Sequence, residues 1–136
     1  MIPFGPQLIG QTEKALSALL QTVLTPHDLS EREWVSLRLT AQFDGAGELD
    51  AFLADRLPAT EVGPILTDLR HRGLLAGSAL TPTGEARVAE IGREIADLTG
   101  PLWADLDPHE TDAAAAVLNR VLDKARLLLL RGATAG

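Results

Sequence analysis

Trp34 and Arg38 stand four residues apart, so on a helix they share one side and offer an aromatic ring and a guanidinium to the same space. Such a pair suits a small organic molecule, aromatic or anionic, provided that a cavity opens beside it. The alternative is that Trp34 packs in the core while Arg38 pairs with a surface carboxylate. His27, just before the same helix, and Trp103, much further along, could approach the same cleft. Their ordinary roles would be a solvated connector residue for His27 and packing against the last helix for Trp103.

A second group of side chains suits phosphate. Arg56, Arg70, His71 and Arg72 are the central cations available to a nucleic-acid backbone, which supplies most of the affinity in such complexes. Opposing them, the charged residues from Asp44 to Leu69 number one positive against six negative, a local net of −5. His109, beside Asp107, Glu110 and Asp112, has the composition of a metal or acid–base cluster, but Asp107-Pro108-His109-Glu110 reads more simply as a helix start. No catalytic residue, metal ligand or cofactor is assigned. The chain has no cysteine, no Gly-x-Ser-x-Gly elbow, no phosphate-binding glycine loop and no His-Glu-x-x-His.

The elements that must position these residues are legible from periodicity. Leu8, Thr12, Leu16, Leu19, Leu20, Val23 and Leu24 trace one face of a first helix, which Thr25-Pro26 breaks. Ser30 and Glu33 form a capping box that opens a second helix, roughly Glu31 to Gln42, apolar on most sides and so expected to be central. Asp44-Gly45-Ala46-Gly47 ends it, and a short helix from Glu48 to about Asp55 follows. Val62, Ile65, Leu66 and Leu69 mark a fourth helix that stops at Gly73. Proline inside a helix costs about 3 kcal/mol. The Gly63-Pro64 pair therefore predicts either a start at Pro64 or a cap at Thr60 with a bent first turn, unless Pro64 simply occupies the first turn.

Leu74-Leu75-Ala76 and Ala79-Leu80-Thr81 are two short arms joined across Gly77-Ser78, the composition of a tight hairpin turn. Thr81 as N-cap and Pro82 at the first helical position then open a fifth helix. Its Val88, Ile91, Ile95, Leu98 and Leu102 alternate steps of three and four, and Gly100-Pro101 is expected to interrupt the helix with a bend. Val117, Leu118, Val121, Leu122, Ala125, Leu128 and Leu129 form a wide apolar face on a sixth.

Helix, minimal hairpin, helix is the winged-helix order. The run Leu69-Arg70-His71-Arg72-Gly73-Leu74-Leu75, followed by Leu80-Thr81-Pro82-Thr83-Gly84-Glu85-Ala86, resembles the L-x-x-x-G-L-(wing)-L-T-x-x-G signature of the MarR family of dimeric winged-helix regulators. The likeness extends over nearly the whole chain. It implies a mainly α fold of about six helices plus a minimal β-hairpin wing, dimerised through its N- and C-terminal helices. On that template residues 1–136 are one MarR-like domain, with 1–25 and 101–136 as dimerisation helices, 30–81 as the winged helix-turn-helix lobe and 82–100 as the long connecting helix.

The resemblance further implies that the fourth helix enters the major groove of palindromic DNA, with Arg56, Thr60, Glu61, Thr67, Arg70 and Arg72 as the contacting positions. A small molecule would sit between the dimer and winged-helix lobes, near His27, Trp34, Arg38 and Trp103. The chain departs from the family at the wing, whose tip Ala76-Gly77-Ser78-Ala79 carries no basic residue for the minor groove.

Composition sets the outer limits. The 136 residues, 46% apolar, are enough for one domain, and the absence of cysteine excludes disulfides. The densest apolar run, Leu127–Leu130, is far too short for a bilayer, and no basic residue precedes Lys14. The expectation is a cytoplasmic homodimer without a membrane partner. A net charge of −7 per chain repels nucleic acid unless cations are concentrated on one face. Three functions stay open: a ligand-responsive regulator, a MarR-like dimer that has lost DNA reading and uses its cavity for binding or catalysis, and a protein–protein module using the acidic face.

Overall fold

The expected order of elements is present in the computed structural model, which describes residues 1–135, with side chains through residue 132. Helix α1 spans Pro6–Leu24, a 3-10 turn covers Thr25–His27, and α2 (Glu31–Gln42), α3 (Leu49–Ala54) and α4 (Ala59–His71) follow. Strands β1 (Leu75–Ala76) and β2 (Ala79–Leu80) pair antiparallel, Leu75 opposite Leu80 and Ala76 opposite Ala79. Helices α5 (Pro82–Trp103) and α6 (Pro108–Ala135) complete the fold.

Local chemistry explains each boundary. The Ser30 side chain accepts from the Glu33 backbone N–H while the Glu33 carboxylate accepts from the Ser30 N–H, a reciprocal box that starts α2. Gly73, at φ +74°, takes the left-handed conformation that ends α4, and Gly77, at φ +62°, does the same for the hairpin. Thr81 then ties the hairpin to the next helix: its Oγ1 donates to the Gly73 carbonyl at 2.6 Å and accepts from the Gly84 N–H at 2.9 Å. Asp107 caps α6 by accepting from the His109 N–H at 2.9 Å, so the acidic surroundings of His109 belong to a helix start.

Two expected boundaries are corrected. Helix α4 neither starts at Pro64 nor is capped by Thr60: it runs from Ala59 with Pro58 at the N-cap and no side-chain cap, and Pro64 lies inside it, beyond the first turn. Proline is tolerated there because Pro64 and Thr60 both lie on the exposed side, where the carbonyl that lacks a donor is open to solvent. Likewise α5 is not interrupted at Gly100-Pro101 but continues to Trp103.

The chain divides into two compact units, Met1–Gly100 and the segment from Pro101 onward. The first has a core of Leu24, Leu29, Trp34, Leu37, Leu39, Leu49, Leu53, Val62, Leu66, Leu69, Leu74, Leu75 and Ile91. Burying each such leucine stabilises the fold by about 1.5–3 kcal/mol over leaving it exposed. Helix α2 is central, as its apolar sequence predicts, and its two buried hydroxyls are satisfied along the helix, Ser36 donating to the Arg32 carbonyl and Thr40 to that of Ser36. Gly84 meets the residue just before β1 so closely that a Cβ there would stand 2.0 Å from the Leu74 carbonyl oxygen. The second unit is different: no described side chain of α6 is buried, and Leu118, Val121, Leu122 and Leu127–Leu130 are all exposed. Among the described residues, no helix is long and apolar enough to cross a membrane.

Candidate nucleic-acid interface and ligand-binding residues

Helices α3 and α4 and the β1–β2 hairpin bring the cations of the central stretch together, but each is used differently. Arg56 lies in the turn between α3 and α4, its guanidinium 4.7 Å from the centre of the Phe52 ring and its charge exposed. Arg70, at the end of α4, donates from Nε and Nη2 to the Gly77 carbonyl at 3.3 and 3.0 Å, which braces the hairpin tip against the helix. Arg72 turns inward: Nη1 reaches the Glu33 carboxylate and Nη2 the His27 carbonyl, each at 3.3 Å, with Asp68 at 3.8 Å. Arg72 therefore fastens the end of α4 to the start of α2, where contact with a phosphate would cost it those partners.

The exposed residues of α4 at positions 60, 63, 64, 67, 70 and 71 fall on one stripe along the helix. That stripe reads Thr60, Gly63, Pro64, Thr67, Arg70, His71, and it carries no carboxylate. Thr67, Arg70 and His71 line a shallow depression on it. The acids sit on the flank: Glu61 pairs with Arg32 of α2, and Asp68 lies near Arg72. Among the positions assigned to DNA contact, then, Arg56, Thr60, Thr67 and Arg70 are exposed, Arg70 while bonded to the Gly77 carbonyl, whereas Glu61 and Arg72 are ion-paired within the fold. The count of −5 overstates repulsion, because Arg32, outside the counted stretch, and Arg72 each stand against one of its acids.

The residues assigned to a ligand are separated by burial. Trp34 is a core side chain, 3% exposed, while Arg38, one turn on, is exposed and has no ion pair among the described residues. Trp103 is 56% exposed and belongs to the second unit. His27 is not a solvated connector residue: its side chain is 12% exposed and its Nε2 lies 2.7 Å from the Glu94 carboxylate of α5. Glu90, one turn before Glu94, offers a third ligand atom, and the three lie within 4.8 Å of one another. Sequence reasoning missed this cluster. A carboxylate pair at i and i+4 on α5 was the signal within reach.

No family model and no curated protein matches the sequence. Solved structures do match. A Bordetella bronchiseptica regulator, BpsR, described by the regulation of its DNA binding by 6-hydroxynicotinic acid, is similar at 21% identity, with 90% of this chain and 99% of that one covered and a TM-score of 0.70. A Mycobacterium tuberculosis MarR family protein in complex with DNA is similar at 22% identity, over 89% of this chain and 98% of that one, with a TM-score of 0.69. CouR from Rhodococcus jostii RHA1, bound to p-coumaroyl-CoA, shares 14% identity over 84% and 88% of the two chains, with a TM-score of 0.72. The fold is accordingly that of the MarR-type winged-helix regulators, as the signature around Gly73 and Gly84 implied.

Proposed function

We propose that this chain is a ligand-responsive transcriptional regulator of the MarR type that binds palindromic DNA as a homodimer. The observation that carries the reading is the carboxylate-free exposed stripe of α4, flanked by Arg56 before it and by Arg70 at its end. A helix of this kind presents hydroxyl and guanidinium groups to a groove without burying an acid against phosphate. The exposed apolar side chains of α6, and Leu98 and Leu102 of α5, are the surface that a second copy would cover, since patches of that extent are rarely left open to water. Two copies would present two reading helices, which is why the DNA site is a palindrome.

In this reading the ligand is a small aromatic or anionic organic molecule, with Arg38, exposed and without an ion pair among the described residues, as the candidate for its cationic contact; Trp34, buried in the core, backs that helix and does not line a site. That two of the similar structures are described with an aromatic acid or an aromatic thioester supports this class.

The test is retardation of upstream DNA fragments across a salt series. With Arg56 and Arg70 as the phosphate-facing cations, four per dimer, the affinity should fall with log salt at a slope of about −3 to −4. No retardation of any upstream fragment at low salt would overturn the DNA-reading part. A second reading, a dimer that keeps the cavity without reading DNA, is favoured by one specific arrangement: Arg72 is committed to Glu33 and the wing tip has no cation.

A further inference from the structure

We propose that His27, Glu90 and Glu94 form a binding site for a first-row divalent transition cation, with zinc as the reference ion. The site lies wholly within the first unit, where the 3-10 turn after α1 approaches α5. Its ligand atoms come from two elements far apart in sequence, one imidazole nitrogen and two carboxylate oxygens, all within 4.8 Å of one another. Donors around a zinc ion with bonds near 2.1 Å stand about 3.4 Å apart, so rotamer changes of two exposed glutamates close the shell without backbone movement.

Three features distinguish this cluster from a chance meeting of surface charges. The imidazole is largely buried, 12% exposed, and Nε2 already points at a carboxylate 2.7 Å away, so one metal–ligand vector is set. The turn that carries it is held from behind, because the His27 carbonyl accepts from Arg72. Finally, Glu90 has no ion pair among the described residues although Arg87 and Arg93 lie three positions to either side of it. Glu90 and Glu94 repel each other across one helical turn, and a cation between them removes that repulsion.

The donor set decides the ion. A nitrogen ligand beside two carboxylates suits zinc, manganese or cobalt, whereas magnesium and calcium prefer all-oxygen shells. Three protein ligands leave a fourth position for water or an incoming anion. Because His27 is bonded through its carbonyl to Arg72 just after α4, an occupied site bears on the end of the proposed reading helix. The site itself does not depend on DNA reading.

The experiment is a zinc titration of the untagged full-length protein by calorimetry and by competition with a chromophoric chelator, without DNA. One zinc per chain is expected, with a raised Tm and no competition from millimolar magnesium. Glu90→Gln, at an exposed and unpaired position, should weaken zinc at least tenfold with the apo-protein's Tm unchanged, and His27→Asn should weaken it more. His109→Asn serves as the control and should leave the affinity unchanged. Absence of stoichiometric binding, equal competition by magnesium, or affinity unaffected by both Glu90→Gln and His27→Asn would overturn the proposal. Because no DNA is present, these outcomes are independent of the regulator reading.

Discussion

Arg70 and Arg72 are two residues apart and equally basic, yet one braces the hairpin at the exposed end of α4 and the other is locked to Glu33 and the His27 carbonyl. Charge-assisted hydrogen bonds contribute about 1.5–3 kcal/mol, less where solvent screens them, so Arg72→Ala should lower unfolding stability by about 1–2 kcal/mol in urea titrations while leaving the salt slope of DNA binding unchanged. Arg70→Ala should differ, with a smaller loss of stability because solvent screens its bonds to the Gly77 carbonyl, and a slope shallower by about one per subunit. Gly84 makes a sharper prediction. A methyl group there collides with backbone, which cannot move aside as a side-chain tip can, so Gly84→Ala should cost about 1–3 kcal/mol or more, read as a lower urea midpoint at unchanged m-value.

At the scale of elements, the ends of helices were the most legible part of the sequence. Ser30 with Glu33, Thr81 with Pro82, and Asp107 with Pro108 act over three or four residues, so types and spacing alone determine their hydrogen bonds. Pro64 was harder to place. Its local cost is visible in sequence, but whether packing holds the helix across it depends on Val62, Leu66 and Leu69 being buried by other elements. Pro64→Ala should accordingly restore a bond to the Thr60 carbonyl and raise stability by about 2 kcal/mol, after allowing for the freer unfolded chain, as a higher thermal midpoint. The His27 cluster was illegible for a related reason. Its members are 63 and 67 positions apart, and only the tertiary path of α5 brings them together. The direction of Arg72 and the burial of Trp34 are also set by packing, which spacing along one helix cannot report.

For the whole molecule, the decisive quantity is apolar surface without cover. Leu118, Val121, Leu122 and the four leucines from Leu127 are 41–73% exposed, and burying them in a symmetric pair would supply the association free energy. Sedimentation should therefore give twice the chain mass at micromolar concentration. Leu118→Glu combined with Leu122→Glu should give a monomer with little loss of helix, because neither side chain supports the core of its own chain. The missing carbon at position 84 has one further effect. The Leu74 oxygen is seated against the start of α5, and Thr81 and Arg70 pin the two ends of the hairpin. Stub and helix start are thereby clasped into one corner, and loosening it by Thr81→Ala should free the hairpin tip to exchange its amide protons faster.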